Sequence, residues 1–404
     1  MNFTKKHHFI VSLMLVCACV FSASCQKGTK ADAETETKEV TVGAALTEKY
    51  LPALKDKKVA LYSNHTGTVG DKHTLDVLLE NGIDVVTIFS PEHGFRGNAD
   101  AGEHVSSSVD PVTGIPITSL YDSKKDGSLE DVLDNVDIIV TDIQDVGLRF
   151  YTYYGTMLDL MNAAEKYGKE FMVLDRPNPN GMTVDGPILD MNLKSGVGRL
   201  PIPTVHGMTL GELALMINGE GWLADSGKVE LTVIPCENYT HQTRYSLPIA
   251  PSPNLKTMTA IYLYPSTCYF EGTPVSLGRG TEMPFEVYGH PDMKNRDFSF
   301  TPEPTEGAKH PPLEGVLCYG VDLRDVSDDD AIGQGVNLAY VIDAYNDLGM
   351  GDEFFTPFFE KLVGRTDIRR MIMDGKSADE IKATWHDDVA KFREQRRPYL
   401  LYEE

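Results

Sequence analysis

The sequence lacks the short motifs of several common enzyme classes. It has no Gly-x-Ser-x-Gly turn for an α/β-hydrolase nucleophile and no His-Glu-x-x-His pair for a zinc hydrolase. It also has neither a Walker A loop nor a Gly-x-Gly-x-x-Gly loop after a strand, so no nucleotide phosphate site is indicated. His93, Glu103 and His104 do not follow a known metal-binding spacing. We therefore expect neither a metal nor another cofactor.

Positive charge is also scarce. Lys and Arg number 37 against 60 Asp and Glu, which gives a formal net charge of −23 at pH 7. No Lys/Arg-rich run offsets this balance, so we expect no nucleic-acid partner. With 41% hydrophobic and 24% charged residues over 404 positions, the chain is typical of a soluble globular protein with room for two domains.

Cysteine is rare, and no Cys-x-x-Cys pair indicates a zinc knuckle. Beyond the N-terminal segment only Cys236, Cys268 and Cys318 remain, and each stands in an apolar context. We expect three buried free thiols. One disulfide with one free thiol is the alternative.

The N-terminus has the pattern of an export signal. A basic start precedes an apolar run, Phe9–Phe21, that is too short to span a bilayer comfortably, and small residues lead into Cys25. We predict a lipoprotein signal over 1–24, acylation of Cys25 and a periplasmic or cell-surface location. A plain signal peptide or an N-terminal anchor is the alternative. The polar segment 25–44 is predicted to be a flexible tether.

From 45 to 236 the pattern is a strand–helix alternation, which predicts an α/β domain with a parallel sheet covered on both faces. From 237 to 404 the regular strand–helix alternation is lost, and the region begins with a proline-rich crossover. We expect a smaller α/β or α+β domain there. The predicted strands are 59–62, 85–89, 136–140, 171–174, 229–235 and 316–321. The predicted helices are 74–79, 153–167, 209–217, 336–348 and 377–394, with capping boxes at the starts of the third and the last.

Three predicted strands end directly in polar segments. These are SPEHG (90–94), TDIQD (141–145) and DRPNP (175–179). Parallel strands end at one edge of their sheet, and ligands of such sheets bind outside that edge. The sequence therefore predicts a site built from these three segments.

Glu92 is the first candidate for chemistry. It follows a strand between Pro91 and Gly94, a turn that can hold a carboxyl group partly desolvated so that its pKa suits a general acid. His93 could orient Glu92 or contact a ligand. The alternatives are a helix cap or an ion-paired loop carboxylate for Glu92, and a satisfied loop histidine for His93.

The second segment supplies Asp142, Arg149, Tyr151 and Tyr153. Asp142 suits hydrogen bonds to ligand hydroxyls, Arg149 can bind a ligand carboxylate with two parallel bonds, and the tyrosines offer flat surfaces for sugar rings. The alternative is a structural Asp–Arg ion pair surrounded by core aromatics.

The third segment carries Asp175, Arg176 and Asn178 in a loop stiffened by prolines, and His206 precedes a predicted helix. Rigid polar loops often present ligand contacts, but turn chemistry alone explains such a composition. We treat all four residues as candidate substrate contacts, with His206 alternatively only a residue ahead of the helix.

In the second domain Glu271 and Arg279 are the candidates. Glycines on both sides of Arg279 allow a close approach to a ligand, and Glu271 could be a second carboxylate. Glu286 is a weaker candidate of the same kind. The alternative for Glu271 is a loop ion pair with Arg279.

Six motifs occur in order along the chain: SPEHGFRG, TDIQDVGLRFYTY, LDRPNPNG, VHGMTLGELA, PSPN and YFEGTPVSLGRGTEMPFE. Together they resemble the NamZ family of peptidoglycan exo-β-N-acetylmuramidases, from about residue 45 to the C-terminus. The resemblance implies a Rossmann-like N-terminal domain, a smaller C-terminal domain and a site in the cleft between them. It implies release of non-reducing terminal N-acetylmuramic acid from muropeptides, with Glu92 as the catalytic carboxylate.

Two mechanisms follow from this resemblance. A two-carboxylate mechanism would pair Glu92 with Glu271 or Asp142, whereas the 2-acetamido group of the sugar could replace an enzymic nucleophile. The lactyl carboxylate of muramic acid would bind Arg149, Arg176 or Arg279. The alternative functions are a non-catalytic muropeptide-binding lipoprotein and a metal-dependent amidase or deacetylase. No obligate protein partner is indicated.

Overall fold

The computed structural model describes residues 38–91, 95, 108–119 and 129–404. Within these residues the strands are β1 (Lys58–Ser63), β2 (Thr68–Val69), β3 (Lys72–His73), β4 (Asp84–Ser90), β5 (Ser108–Val109), β6 (Pro116–Ser119), β7 (Ile138–Asp142), β8 (Glu170–Leu174), β9 (Leu231–Ile234), β10 (Val287–His290), β11 (Phe298–Phe300) and β12 (Cys318–Asp322).

The α-helices of the same residues are α1 (Thr47–Leu54), α2 (Thr74–Glu80), α3 (Leu129–Leu133), α4 (Tyr153–Tyr167), α5 (Leu210–Gly219), α6 (Met258–Thr267), α7 (Asp328–Gln334), α8 (Ala339–Leu348), α9 (Pro357–Val363), α10 (Asp367–Met373), α11 (Ala378–Lys382) and α12 (His386–Arg396). Short 3-10 turns lie at Gly43–Ala45, Met191–Leu193, Cys268–Gly272, Gly351–Phe354, Ala383–Trp385 and Arg397–Tyr399.

The main sheet has the spatial order β5-β6-β4-β1-β7-β8-β9 within the described residues. All neighbouring strands pair in parallel except β5, which pairs antiparallel with β6 at one edge. Numbered along the chain, the parallel strands have the order 3-2-1-4-5-6, which is the doubly wound Rossmann arrangement. The predicted Rossmann-like α/β fold is therefore confirmed.

The central strands are buried on both faces, as their continuous apolar runs predict. In β1, Ala60 and Tyr62 pack into one hydrophobic cluster, which includes much of α4 and α5. Val59 and Leu61 point to the opposite face and pack with residues of α1 and α2. The sheet is thus packed between two separate apolar layers, which fix the position of its carboxyl edge.

The second predicted domain contains the antiparallel sheet β10-β12-β11 and the helices from α6 onward. Residues 39–404 form one compact unit, and Tyr153 of α4 shares a hydrophobic cluster with Tyr264 of α6. The two halves of the chain thus meet through a continuous core. The boundary between residues 236 and 237 stays a prediction.

Both predicted capping boxes are present, at Thr209 with Glu212 and at Ser377 with Glu380. The helix predicted over 377–394 is interrupted, however, by the 3-10 turn between α11 and α12. The interruption places Trp385 inside the protein, where its ring N–H donates a 2.9 Å hydrogen bond to Asp185. A tertiary contact therefore overrides the local helical pattern.

The packed structure begins earlier than predicted. The Gly43 N–H donates to the Asp175 carbonyl at 2.9 Å, and Thr41 pairs with Glu237. A Cβ at Gly43 would lie 2.2 Å from the Ile234 carbonyl oxygen, so only glycine allows this approach. Cys25 lies outside the described residues. Among the helices that are described, none combines the length and apolar character needed to cross a bilayer.

The three cysteines behave as predicted. Cys236, Cys268 and Cys318 are buried and have free thiols. Each contributes to a different hydrophobic cluster.

The last residues of the chain bind the loop that follows β8. The Tyr402 hydroxyl donates to Asp175 at 2.6 Å and accepts from the Cys236 N–H at 2.9 Å. The Leu401 N–H donates to Glu212 at 2.8 Å. The C-terminus thus completes a buried polar network in the N-terminal half.

This arrangement predicts the effect of removing one hydroxyl. Tyr402→Phe should lower the free energy of unfolding by about 1–3 kcal/mol, because two buried polar groups lose a partner. Tyr399→Phe is the matched control, since within the described residues that hydroxyl has its hydrogen bond with the half-buried Glu220. Denaturant unfolding of both variants measures the difference. Equal destabilisation by the two substitutions would contradict the proposed role of the C-terminus.

Candidate functional site

The three predicted strand-end segments follow β4, β7 and β8, which run parallel in one sheet. Strand β1 lies between β4 and β7, and its last residue, Ser63, is in register with Asp142. The expected common edge is therefore present. The switch point of the doubly wound order falls between β1 and β7, where ligands of such sheets often bind.

An ion pair lies beside this switch point. Asp142 Oδ1 accepts from Arg176 Nε at 2.6 Å, and Oδ2 accepts from the second guanidinium nitrogen at 3.0 Å. The Thr74 hydroxyl also donates to Oδ2, and Arg176 donates to the Thr68 carbonyl at 2.8 Å. Both charged side chains are buried. The structural Asp–Arg pair considered from the sequence therefore exists, but with Arg176 in place of Arg149.

Arg149 is fully buried and binds backbone carbonyls. One terminal nitrogen donates to Pro187 and Ile202 at 2.6 and 3.0 Å, and the other donates to Leu362 and Val363 at 2.8 and 2.9 Å. The guanidinium thus ties the N-terminal half to α9 of the C-terminal half. Since its terminal nitrogens are occupied, we leave Arg149 out of the proposed site.

The loop after β8 is also internal. Asp175 accepts from the Thr209 hydroxyl at 2.7 Å and from the Gly211 N–H at 2.8 Å, and Asn178 donates to the Met208 carbonyl at 2.9 Å. Burial raises the pKa of Asp175 to about 6, although its hydrogen bonds oppose the shift. These contacts fit the turn-chemistry alternative.

His206 lies beside this loop and is completely buried. Its Nδ1 accepts from the Met208 N–H at 3.2 Å. Burial, reinforced by the nearby Arg396, lowers the pKa of His206 to about 3, so the ring is neutral. We carry neither His206 nor Asp175, Arg176 and Asn178 into the proposed site.

Tyr151, Glu271 and Arg279 line open space, whereas Arg176 borders a separate cavity of about 560 Å³ with Thr68 and Tyr245. A cavity of about 670 Å³ is bordered by Glu271, Arg279, Lys309 and His310. A smaller cavity of about 110 Å³ lies beside it, and Tyr151, Glu271 and Arg279 are in its wall. The Glu271–Arg279 pair is common to both cavities.

This pair has the geometry of a partly exposed ion pair. Glu271 Oε1 accepts from Arg279 Nε at 3.2 Å and from a terminal nitrogen at 2.7 Å. Burial alone would lower the pKa of Arg279, but the Glu271 carboxylate reverses this and raises it above its usual value. Within the described residues, neither Glu271 Oε2 nor the other terminal nitrogen of Arg279 has a hydrogen-bond partner. One acceptor and one donor therefore remain for a ligand.

The glycines around Arg279 are required by backbone geometry. Gly278 and Gly280 have φ values of +85° and +80°, in the left-handed region. A Cβ at Gly280 would lie 2.5 Å from the Pro311 ring, so the segment carrying Arg279 packs directly against the far wall of the larger cavity.

The tyrosines after β7 anchor the proline-rich crossover. The hydroxyls of Tyr151 and Tyr153 donate to the Pro251 carbonyl at 2.9 and 3.0 Å, and their rings meet edge to face at 4.6 Å. Both side chains are largely buried and line the smaller cavity. The linker predicted from its prolines is thus fixed against the candidate site.

Two side chains of this site were missed in the sequence. Tyr264 and Cys268 line the smaller cavity together with Glu271. Their spacing of i, i+4 and i+7 puts them on one face of α6 and the 3-10 turn that follows it. This spacing could have indicated the shared face from the sequence, but Pro265 within α6 made the helix harder to recognise.

Asp145 is a further residue that sequence reasoning missed. Its Oδ1 accepts from the Gly147 N–H at 2.6 Å, while Oδ2 is buried and has no partner among the described residues. Burial raises the pKa of Asp145 to about 7. A carboxyl group that is protonated near neutral pH therefore lies directly behind the carboxyl edge.

Glu92 and His93 lie outside the described residues. Their flanks are described: Ser90 and Pro91 are buried at the end of β4, and Phe95 is buried against the ring of His73 at 4.9 Å between centroids. Both flanks of the SPEHG segment are therefore held at the carboxyl edge of the sheet.

Two family models match the chain. Residues 59–259 match the model of the N-terminal part of exo-β-N-acetylmuramidase NamZ, and residues 262–402 match the model of its C-terminal part. The division falls at residues 260–261, in the first turn of α6.

Individual relatives agree with these models. The peptidoglycan β-N-acetylmuramidase NamZ of Bacillus subtilis strain 168 is 38% identical over 422 aligned residues, which cover 98% of either protein. A crystal structure from Bacteroides fragilis NCTC 9343, of a family then without known function, is 59% identical with a TM-score of 0.85 and covers 91% of this chain and 100% of its own. A second protein of that organism and family is 27% identical with a TM-score of 0.76, covering 90% and 99%.

The buried carboxyl group predicts a pH effect on stability. Since the pKa of Asp145 is about 7 in the folded protein and roughly 3.9 in an unfolded chain, its contribution is present below pH 4 and is lost as the pH rises through 7. Asp145→Asn should therefore gain at least about 1 kcal/mol relative to the wild type between pH 4 and pH 8.

Urea unfolding at both pH values measures this gain. Asp84→Asn, at an exposed position at the start of β4, is the control and should leave the wild-type pH dependence in place. A constant difference between Asp145→Asn and the wild type across this range would contradict a buried, protonated Asp145.

Proposed function

Because this chain belongs to the NamZ family of exo-β-N-acetylmuramidases, we propose that it is a glycoside hydrolase that releases non-reducing terminal N-acetylmuramic acid from peptidoglycan fragments. The observation that carries the proposal is the match of both family models over nearly the whole chain. The cavity at the Glu271–Arg279 pair supports the same function, since its volume lies in the range of small-ligand sites.

Arg279 is the group that we propose for the lactyl carboxylate of muramic acid. Of the three arginines considered from the sequence, Arg149 has both terminal nitrogens bound to backbone carbonyls, and Arg176 is buried in the ion pair with Asp142 and borders a different cavity. Arg279 faces the cavity that it shares with Glu271 and, among the described residues, has one terminal nitrogen without a hydrogen-bond partner. A guanidinium next to a carboxylate ligand forms a charge-assisted hydrogen bond. This contact would distinguish a muramic acid from a glucosamine at the same position.

Glu92 is the proposed general acid/base. It follows Pro91 directly at the end of β4, one strand away from the switch point of the sheet. As an acid it would protonate the glycosidic oxygen as the bond to the sugar breaks. His93 is its proposed neighbour and substrate contact.

Two candidates remain for the second group that takes part in the reaction with Glu92. Both oxygens of Asp142 are occupied by Arg176 and Thr74, so we do not assign Asp142 as the partner of Glu92. Glu271 can stabilise the positive charge that develops on the sugar ring, or serve as the nucleophile of a retaining mechanism. The acetamido group of the substrate is the other candidate nucleophile.

The reaction predicts the behaviour of Glu92→Gln. Release of N-acetylmuramic acid from a muramyl–glucosaminyl disaccharide should fall by at least about 100-fold, because the glutamine cannot donate a proton to the leaving group. Product chromatography measures the rate, and NMR of the fresh product gives the anomer. Glu282→Gln removes an exposed carboxylate from the C-terminal half and is the control, with expected wild-type activity.

Full activity of Glu92→Gln would contradict the role given to Glu92. Saturable binding of the disaccharide by the wild type without any released sugar would instead indicate a binding lipoprotein. Glu271→Gln tests whether Glu271 takes part in the reaction, since activity close to that of the wild type would exclude it as the enzymic nucleophile.

We also propose that the protein is exported and anchored through lipid at Cys25. Residues 25–40 would join the anchor to the fold and could span at most about 55 Å when extended. Muropeptides are the proposed ligands, and the anchor at Cys25 is the proposed contact with the membrane.

The anchor predicts a change in partitioning. Expressed as the full chain in a bacterium, the wild type should enter the detergent phase of a phase-separation assay, and Cys25→Ser should move to the aqueous phase because it cannot be acylated. Cys318→Ser is the control and should partition as the wild type. Equal partitioning of Cys25→Ser and wild type would contradict lipidation.

A further inference from the structure

The smaller cavity has the dimensions of a subsite rather than of a whole sugar site. Its volume is about 110 Å³, beside the larger cavity of about 670 Å³. Sites for whole small ligands usually measure about 300–1,000 Å³, so this space suits one substituent of a sugar better than a complete sugar.

The walls of the smaller cavity are rigid. Tyr264 packs edge to face against Phe150 at 5.0 Å and against Phe285 at 4.7 Å between ring centroids. Arg279 lies over the Phe285 ring at 5.1 Å. Each of these rings is buried, so the space cannot widen without repacking the core.

The lining of the smaller cavity is mixed. Aromatic rings and the Cys268 side chain lie in its wall together with the charged Glu271 and Arg279 and the polar Ser252 and Asn254. Glu271 carries the oxygen that Arg279 leaves without a partner. A planar amide with a terminal methyl group can make both kinds of contact.

We propose that the smaller cavity is the subsite for the 2-acetamido group of the muramic acid, with its methyl against Cys268 and Tyr264 and its N–H donating to Glu271. This inference rests on the proposed function and adds to it the determinant of N-acyl specificity. Glu271 would then hold the acetamido group while Arg279, its ion-pair partner, holds the lactyl carboxylate. The pair would recognise the two substituents that define N-acetylmuramic acid.

A series of substrates with progressively longer N-acyl groups tests the subsite in the wild-type protein. Aryl β-muramides carrying N-acetyl, N-propanoyl and N-butanoyl groups are compared by kcat/KM. We expect a fall of about 10-fold to 100-fold for the first added methylene, because the rigid walls exclude it, and a further fall for the second. Equal kcat/KM across the series would overturn the subsite.

Enlarging the cavity provides the second test. Cys268→Ala removes the sulfur from the wall and should raise the ratio of N-propanoyl to N-acetyl kcat/KM by about tenfold. Cys318→Ala is the matched control, since Cys318 is equally buried but lies in a separate cluster around Val287 and Phe300. It should leave the ratio at the wild-type value.

The outcomes separate this inference from the proposed function. Absence of released muramic acid from the N-acetyl substrate in the wild type would refute the hydrolase itself. Release of muramic acid with an unchanged acyl ratio in Cys268→Ala would overturn only the subsite. If Cys268→Ala does not fold, the acyl series with the wild type remains the test. Equal kcat/KM for the three N-acyl groups would exclude a closed N-acyl cavity.

Discussion

The Asp142–Arg176 ion pair is the contact on which the carboxyl edge of the sheet depends. It joins the end of β7 to the loop after β8 and, through Thr68 and Thr74, reaches the hairpin of β2 and β3 and the first turn of α2. Both side chains are buried, and removing one partner of such a pair costs about 3–5 kcal/mol because the other charge is left uncompensated. The pair lies beside the switch point of the sheet, and Arg176 also borders a cavity of about 560 Å³.

The proposed site lies elsewhere, since the two cavities at the Glu271–Arg279 pair share no lining residue with this ion pair. Asp175, Asn178 and His206 belong to a second set of buried polar contacts, which the C-terminal residues join through Tyr402. Open space appears where the aromatic segment after β7 meets α6 and the glycine-flanked Arg279 of the C-terminal half. The N-terminal half thus supplies the sheet edge, where β4 ends two residues before Glu92 in the sequence, and the C-terminal half supplies the charged pair proposed to bind the sugar.

The fold was predictable because its signals are local. Continuous apolar runs located β1, β4, β7 and β8, and the Thr209 capping box located the start of α5. The direction in which polar side chains point was not predictable, because it depends on contacts between distant segments. Asp142 and Arg149 have similar motif contexts, yet one pairs with Arg176 beside the switch point and the other binds carbonyls of α9.

For Glu271 and Arg279, by contrast, the sequence did suggest the contact that the structure shows. Their pairing was foreseen as an alternative to a catalytic role, and the structure shows that the ion pair forms while one oxygen of the carboxylate and one terminal nitrogen of the guanidinium remain unpaired among the described residues. A sequence can suggest that two charges meet, but only the surrounding packing decides whether they still face a cavity. The same limit applies to Tyr264 and Cys268, whose shared face on α6 becomes meaningful only beside Glu271.

The central claim is that the cavity at the Glu271–Arg279 pair receives the terminal muramic acid. A crystal structure of Glu92→Gln with a muramyl–glucosaminyl disaccharide tests it most directly. We predict the lactyl carboxylate on Arg279, the acetamido group in the smaller cavity and the glycosidic oxygen within hydrogen-bond reach of residue 92. A disaccharide bound elsewhere, for example in the cavity lined by Asp185 and Trp385, would contradict the account.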